Sequence, residues 1–180
     1  MQLQFSVEGL HLGKSLDTSK ASVWALFLTT HAVLVEQIEQ RLAAADLPPL
    51  AWYDVLWGLE RAPDQRMRMR ELAQKVVLSR SNLTRLVDRL EDAGLVVRER
   101  LEEDRRGAYA VLTEQGKAVR RRMWPVYQAG IRELFEERVT EREAESMGAA
   151  LRRTLDAARQ APASESAVSS AAGEKRLREQ

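Results

Sequence analysis

The stretch MRELAQKVVLSRSNLTRLVDRLEDAGLV, Met69 to Val96, holds two short helical patterns joined by a tight connection. Leu72, Ala73 and Val76 give the first helix an apolar face. The connection "VVLS" comes next, and Ser79 is placed to accept a free N–H group at the head of the second helix. In that helix Leu83, Leu86, Val87 and Leu90 recur at three- and four-residue spacing, a stripe meant for burial. Gly94 stands where a helix commonly stops on a left-handed residue. Two short helices in this relation, the second with a polar leading end, form the helix-turn-helix pattern. With the apolar stripe inward, Ser81, Asn82, Thr84, Arg85, Asp88 and Arg89 face outward, and Arg80 opens the helix. Short hydrogen-bonding side chains suit the edges of bases in a major groove, and arginines and a helix N-terminus suit phosphates. Taken alone, the same residues also describe an ordinary solvated helix.

The next segment of the chain tips that balance. "LVVRERLEEDRRGAYAVLT" gives two alternating runs, Leu95–Leu101 and Ala108–Thr113, around a dense charge knot. This predicts a β-hairpin with Gly107 near the bend. Arginine on a narrow tip can enter a minor groove, where the potential is most negative. A free arginine loses up to roughly 2 kcal/mol of side-chain entropy on entry. Asp104, two residues before Arg106, can hold the guanidinium already oriented, with Arg105 adding charge beside it. The competing reading is a solvated turn with ion pairs of ~0–1 kcal/mol each. A helix-turn-helix directly upstream favours the DNA reading.

Around this centre lie longer helical patterns. From a cap among Asp17, Thr18 and Ser19, the residues Val23, Trp24, Phe27, Leu28, His31, Leu34, Val35, Ile38 and Leu42 recur at helical spacing. "DLPPL", Asp46 to Leu50, ends that helix, since two prolines cannot continue it. A second helix carries Trp52, Val55, Leu56 and Leu59 on one face and stops at Pro63; "DQRMRM" then reads as a connector or small strand. After the hairpin a long helix is expected from about Glu114 to Arg138, kinked at Pro125. Thr140 and Glu143 have capping-box spacing and open a last helix. Residues 1–17 read as an arm, and the Ala/Ser tract of 160–180 as a disordered tail.

Composition sets the outer limits. The chain has 180 residues, enough for one domain with appendages. There is no cysteine, which excludes disulfides, thiolate metal sites and thiol redox sensing. His11 and His31 are the only histidines, so no metal cluster is expected. No Ser/His/Asp arrangement or Gly-rich phosphate loop supports an enzyme, and no cofactor is implied. No apolar run approaches the ~20 residues of a membrane span, and no signal-peptide plan is visible, so a cytoplasmic protein is expected. The net charge of +1 conceals an asymmetry. Arg66 to Arg122 holds 15 Lys/Arg against 9 Asp/Glu, while the remainder holds 13 against 18. A basic middle between acidic flanks points to an anionic partner.

The arrangement "LAQKVVLSRSNLTRLVDRLEDAGLVVRE…DRRGAYAVLTEQG" resembles the MarR family of winged helix-turn-helix transcription regulators. The resemblance covers roughly Ser19 to Arg159, and Asp104-x-Arg106 followed by "VLTEQG" is its most specific part. It implies a mostly α fold with a small β-hairpin wing, and long N- and C-terminal helices that form a dimerisation region. The winged part would span about 50–113, and the dimerisation helices 18–45 and 114–159, within a domain of 18–159. By position Arg80, Ser81, Asn82, Thr84, Arg85 and Arg89 fall on the recognition helix, Arg106 on the wing-tip arginine, and Asp104 on its partner. One departure is Met69-Arg70, where many members open the first helix of the pair with Ser or Thr. The implied function is that of a homodimeric repressor on a pseudo-palindromic stretch of double-stranded DNA, released by a small aromatic or phenolic ligand. Trp24, His31, Trp52, Tyr53 and Trp57 would line a crevice for that ligand, against the competing reading that they are core packing. The other reading of the whole chain is a helical protein-interaction module whose winged fold binds no DNA specifically.

Overall fold

A computed structural model describes residues 19–76, 80–100 and 108–160. It falls into two compact units, one up to Leu134 and one from Phe135 onward. The N-terminal arm, the tail beyond 160, Ser79 and the wing tip with Asp104, Arg105 and Arg106 lie outside the described residues.

Helix α1 runs Lys20–Ala44 with Ser19 as its cap, the hydroxyl accepting from the Ser22 N–H at 3.2 Å. Its end differs from the expectation. The prolines do not stop it; Asp46 does, by adopting a left-handed conformation with φ 53°. The Asp46 N–H donates to the Ala43 carbonyl at 3.1 Å and the Leu47 N–H to the Leu42 carbonyl at 2.9 Å, the paired bonds of a Schellman cap. Pro49 then leads into α2, Leu50–Glu60, with no side chain able to cap it. Glu39 of α1 serves instead, accepting the Leu50 N–H at 3.0 Å.

A 3-10 turn, Pro63–Gln65, precedes β1, Arg66–Arg68. The local pattern allows a connector or a strand here; the segment is a strand, because its edge pairs with a hairpin far along the chain. Helices α3, Met69–Lys75, and α4, Arg80–Asp92, form the helix-turn-helix. Strands β2, Val96–Arg100, and β3, Ala108–Leu112, complete an antiparallel sheet of order β1-β3-β2. Val96 stands opposite Leu112, Arg98 opposite Ala110, and Met67 opposite Ala110 on the other side. The fold is the expected winged helix-turn-helix, mostly helical with a small sheet.

Helix α5 spans Glu114–Leu134 and is continuous through Pro125. It stops short of the expected Arg138, where Phe135 turns to φ −129°, ψ −60° and a 3-10 turn, Glu136–Arg138, comes next. Proline removes one N–H from the ladder. Flanking residues on both sides of it, Met123, Val126 and Tyr127, are anchored in packing that keeps the helix whole.

Two cores result. Val55, Leu56, Leu59, Leu72, Leu83, Leu86, Val87, Leu90, Leu95, Val96 and Leu112 form the winged core, with Trp52 packed at its margin. Ile38, Leu42, Tyr53 and Met123 form a second, where α1, α2 and α5 meet. Val119 touches both. Along the leading half of α1 and just beyond it, Val23, Trp24, Leu26, Phe27, Leu28 and Val33 are exposed. Contrary to the expectation from sequence, α1 is long and apolar enough, by length and composition, to cross a membrane. From Ala21 to Val35 its apolar letters are broken only by Ser22, Thr29, Thr30 and His31, with no carboxylate, lysine or arginine among them.

In the second unit α6, Glu141–Gln160, opens with the expected capping box. The Glu143 carboxylate accepts from the Thr140 N–H at 2.9 Å and hydroxyl at 2.6 Å. Met147, Leu151 and Leu155 are exposed at four-residue spacing along it.

Candidate nucleic-acid interface

The candidate recognition surface is the outer face of α4. Leu83, Leu86, Val87 and Leu90 are buried, as their spacing required, so the helix can present only its polar side. Asn82, Arg85, Asp88 and Arg89 line an open concavity of about 530 Å³ on that side. Thr84 is exposed beside it. Arg80 opens the helix, followed by Ser81. Thus Asn82, Thr84, Arg85 and Arg89 share one exposed helix, while the candidates Asp104, Arg105 and Arg106 fall outside the described residues.

The helix is anchored at its C-terminal end by a second Schellman cap. Gly94 has φ 72°, its N–H donates to the Glu91 carbonyl at 2.8 Å, and the Leu95 N–H donates to the Leu90 carbonyl at 2.9 Å. Leu90 and Leu95 are both core residues, which supplies the apolar contact such a cap favours. Here the chain turns directly into the wing. Thr113, at the far end of the hairpin, closes it: its hydroxyl donates to the Gly94 carbonyl at 2.8 Å and accepts from the Gly116 N–H at 3.0 Å. The Thr113 N–H also reaches the Leu95 carbonyl at 3.2 Å. "LTEQG" is therefore the clasp of the wing and the cap of α5 at once.

One participant is not evident from the sequence pattern. Arg98 on β2 turns toward α4, not toward solvent. Its guanidinium lies 2.5 Å from Asp88 and 2.9 Å from Glu91, and it donates to the Thr84 carbonyl at 3.2 Å. Glu91 accepts the Arg98 N–H as well, at 3.0 Å. Asp88, simply outward by its helix face, is thus held by the wing. The sequence holds only a partial mark of it: acids three apart on the helix and a basic residue on the inward register of the next strand.

On the outer face of the sheet Tyr109 is flanked by cations. Arg66 and Arg68 each lie 5.4 Å from its ring, and the Arg68 Nε donates to its hydroxyl at 3.0 Å.

The aromatic candidates do not gather as one crevice. Trp52 belongs to the winged core and Tyr53, its neighbour, to the second core. Trp24 lies 6.1 Å from Phe27, the rings tilted, on the exposed part of α1, and His31 is exposed farther along it. Tyr53 instead lies between Trp57 at 6.5 Å and Trp124 at 6.1 Å, nearly parallel to both, with Tyr127 edge-on at 5.1 Å. Arg61 covers Trp57 at 5.0 Å, and Arg120 pairs with Glu60 at 2.6 Å. Burial raises the Tyr53 and Tyr127 hydroxyls above the usual phenol range, Arg120 opposing it at Tyr53 and Asp54 adding to it at Tyr127. Asp54 keeps an exposed edge, yet its carboxyl is raised, first by burial and then by Glu39. Sequence reasoning missed Trp124 and Tyr127 because they come from α5. No group of three metal-ligating side chains occurs among the described residues.

A helix-turn-helix whose second helix is exposed, followed by a clasped β-hairpin, defines a winged-helix DNA-binding protein. Comparison with known proteins makes this specific. A family model described as the MarR family matches residues 45–107. The HTH-type transcriptional regulator SarZ of Staphylococcus aureus (strain USA300) is 32% identical over 119 residues, 66% of this chain and 76% of that protein. The crystal structure of AbsC, a MarR family transcriptional regulator from Streptomyces coelicolor, superposes with a TM-score of 0.73 at 31% identity, covering 83% of this chain and 100% of that one. Sco3205, a MarR family regulator from the same organism solved in complex with DNA, gives 0.73 at 30% identity, covering 82% and 92%. The chain belongs to the MarR family of transcriptional regulators. It is a DNA-binding regulator of transcription and not an enzyme.

Proposed function

We propose that this chain is a cytoplasmic, homodimeric repressor of transcription that reads a pseudo-palindromic operator and leaves it when a small aromatic or phenolic ligand binds. The observation that carries the reading is the polar face of α4: Asn82, Thr84, Arg85 and Arg89 exposed on a helix whose other side is wholly buried. In a major groove these side chains meet base edges and phosphates, with Arg80 and Ser81 at the leading end. Arg106, oriented by Asp104 and accompanied by Arg105, enters the adjoining minor groove.

The exposed apolar runs of α1 and of α6 support the dimer, since faces of this kind seek cover. A two-fold dimer places two recognition helices roughly 34–36 Å apart, one turn of DNA. For the ligand, the ring group of Tyr53, Trp57, Trp124 and Tyr127 supplies stacking faces, two of which remain partly open, with Arg61 and Asp54 as polar neighbours. Trp52 is committed to the winged core, and Trp24 and His31 have no ring contact to this group among the described residues.

The test is a gel shift on the DNA upstream of the chain's own gene, at two salt concentrations with excess nonspecific competitor. A discrete complex that survives competitor and weakens steeply with salt is expected. Smeared binding that competitor removes would instead favour a winged module serving protein contacts. Titrating aromatic carboxylates into the complex then checks release; no effect at millimolar concentration removes the ligand from the mechanism.

A further inference from the structure

We infer that Arg98 is a positioning residue for DNA recognition, latching the wing to the recognition helix so that both reach their grooves together. The inference rests on the DNA-binding reading of α4 and the wing. One guanidinium bridges three successive sites on the helix: the Thr84 carbonyl, the Asp88 carboxylate and the Glu91 carboxylate. Glu91 uses its other oxygen for the Arg98 N–H. β2 is an edge strand of the sheet, so that N–H would otherwise have only water. The latch therefore ties backbone and side chain of one strand residue to more than a turn of helix. It sits in the middle of the hairpin register, opposite Ala110, on the path to the tip.

A second consequence is electrostatic. Asp88 lines the same concavity as Asn82, Arg85 and Arg89, where an unpaired carboxylate would oppose phosphate. Arg98 holds that carboxylate in a pair. It acts through the helix and makes no DNA contact of its own.

Two variants separate the latch from a simple gain or loss of charge. Glu91→Ala makes the protein less acidic, so charge alone predicts tighter DNA binding. The latch predicts the reverse: affinity for the operator fragment falls roughly tenfold, on the scale of lost charged hydrogen bonds, and wing protection weakens in a hydroxyl-radical footprint. Arg98→Lys keeps the charge, but a single ammonium cannot span three acceptors, so it is expected to fail as well, with an unchanged salt slope. Amide exchange at Arg98 in the DNA-free Glu91→Ala protein is expected to speed up while the α4 core amides keep their protection.

Unchanged exchange at Arg98 overturns the latch whatever the DNA result. Operator affinity equal to or tighter than wild type in Glu91→Ala, or full rescue by Arg98→Lys, overturns its positioning role. A wild-type chain that forms no discrete complex counts against the regulatory reading itself, and the exchange measurement still decides whether the latch exists.

Discussion

A methyl group at Gly116 has nowhere to go. A Cβ there collides with the Leu95 carbonyl oxygen and comes within 2.8 Å of Leu112 Cδ1 and 3.2 Å of Leu56 Cδ2. Gly116→Ala should therefore cost about 1–3 kcal/mol through overpacking, seen as an earlier thermal melt; an unchanged melt would show that α5 can slide. The glycine was legible in "LTEQG", but its cause is a contact across the wing and could not be read locally. Arg106 is the opposite case, a residue whose proposed role comes from its place in the sequence. Arg106→Ala should weaken operator binding by ~1–3 kcal/mol with no change in melting, and Asp104→Ala by less, since the arginine stays but loses its orientation. Equal affinities at matched salt would take the wing out of the mechanism. Arg98 lay in plain view as a letter, yet its two acids are on another element, so its partners emerged only with the fold.

The ends of the helices, more than their middles, separate expectation from structure. The stripe of α4 was legible because its period is local and its environment is one core. The end of α1 was not, because a left-handed aspartate just before the prolines leaves no distinctive mark. Asp46 occupies a conformation that glycine adopts without the Cβ clash. Asp46→Gly should accordingly stabilise the chain by about 0.5–1 kcal/mol, checked by thermal denaturation, and a loss would mean that the carboxylate has a further task. At the head of α6 the sign can be tested with pH. The Thr140 hydroxyl, then the Thr140 N–H, hold the Glu143 carboxyl below the usual carboxylate range. Its contribution is complete above the unfolded value and fades as pH falls through the lowered folded one. Glu143→Gln keeps the box without the titration, so the stability of wild type relative to this variant should shrink on acidification; a constant difference would discount the box.

For the whole molecule, the two halves of α1 carry the same kind of apolar letter, yet within this chain only Ile38 and Leu42 are buried. Periodicity tells that a face seeks cover without telling whose. The same limit divided Trp52 from Tyr53: they are neighbours on one helix, yet they enter different cores. If a second copy covers α1, Leu28→Asp should sediment as a monomer and lose the discrete operator complex together. A mutant that stays dimeric would move the interface elsewhere. The clasp at Thr113 has its own consequence. Everything between Leu95 and Leu112 is an excursion whose two ends are buttoned to each other, so neither helix that flanks it depends on what happens at its far point. Lengthening that point is cheap, about 0.6 kcal/mol for each doubling of a flexible loop. On the proposed reading of the wing, a lineage can thus recut the tip for a different groove width while the clasp stays as it is, and a protein engineer can exchange it as a cassette.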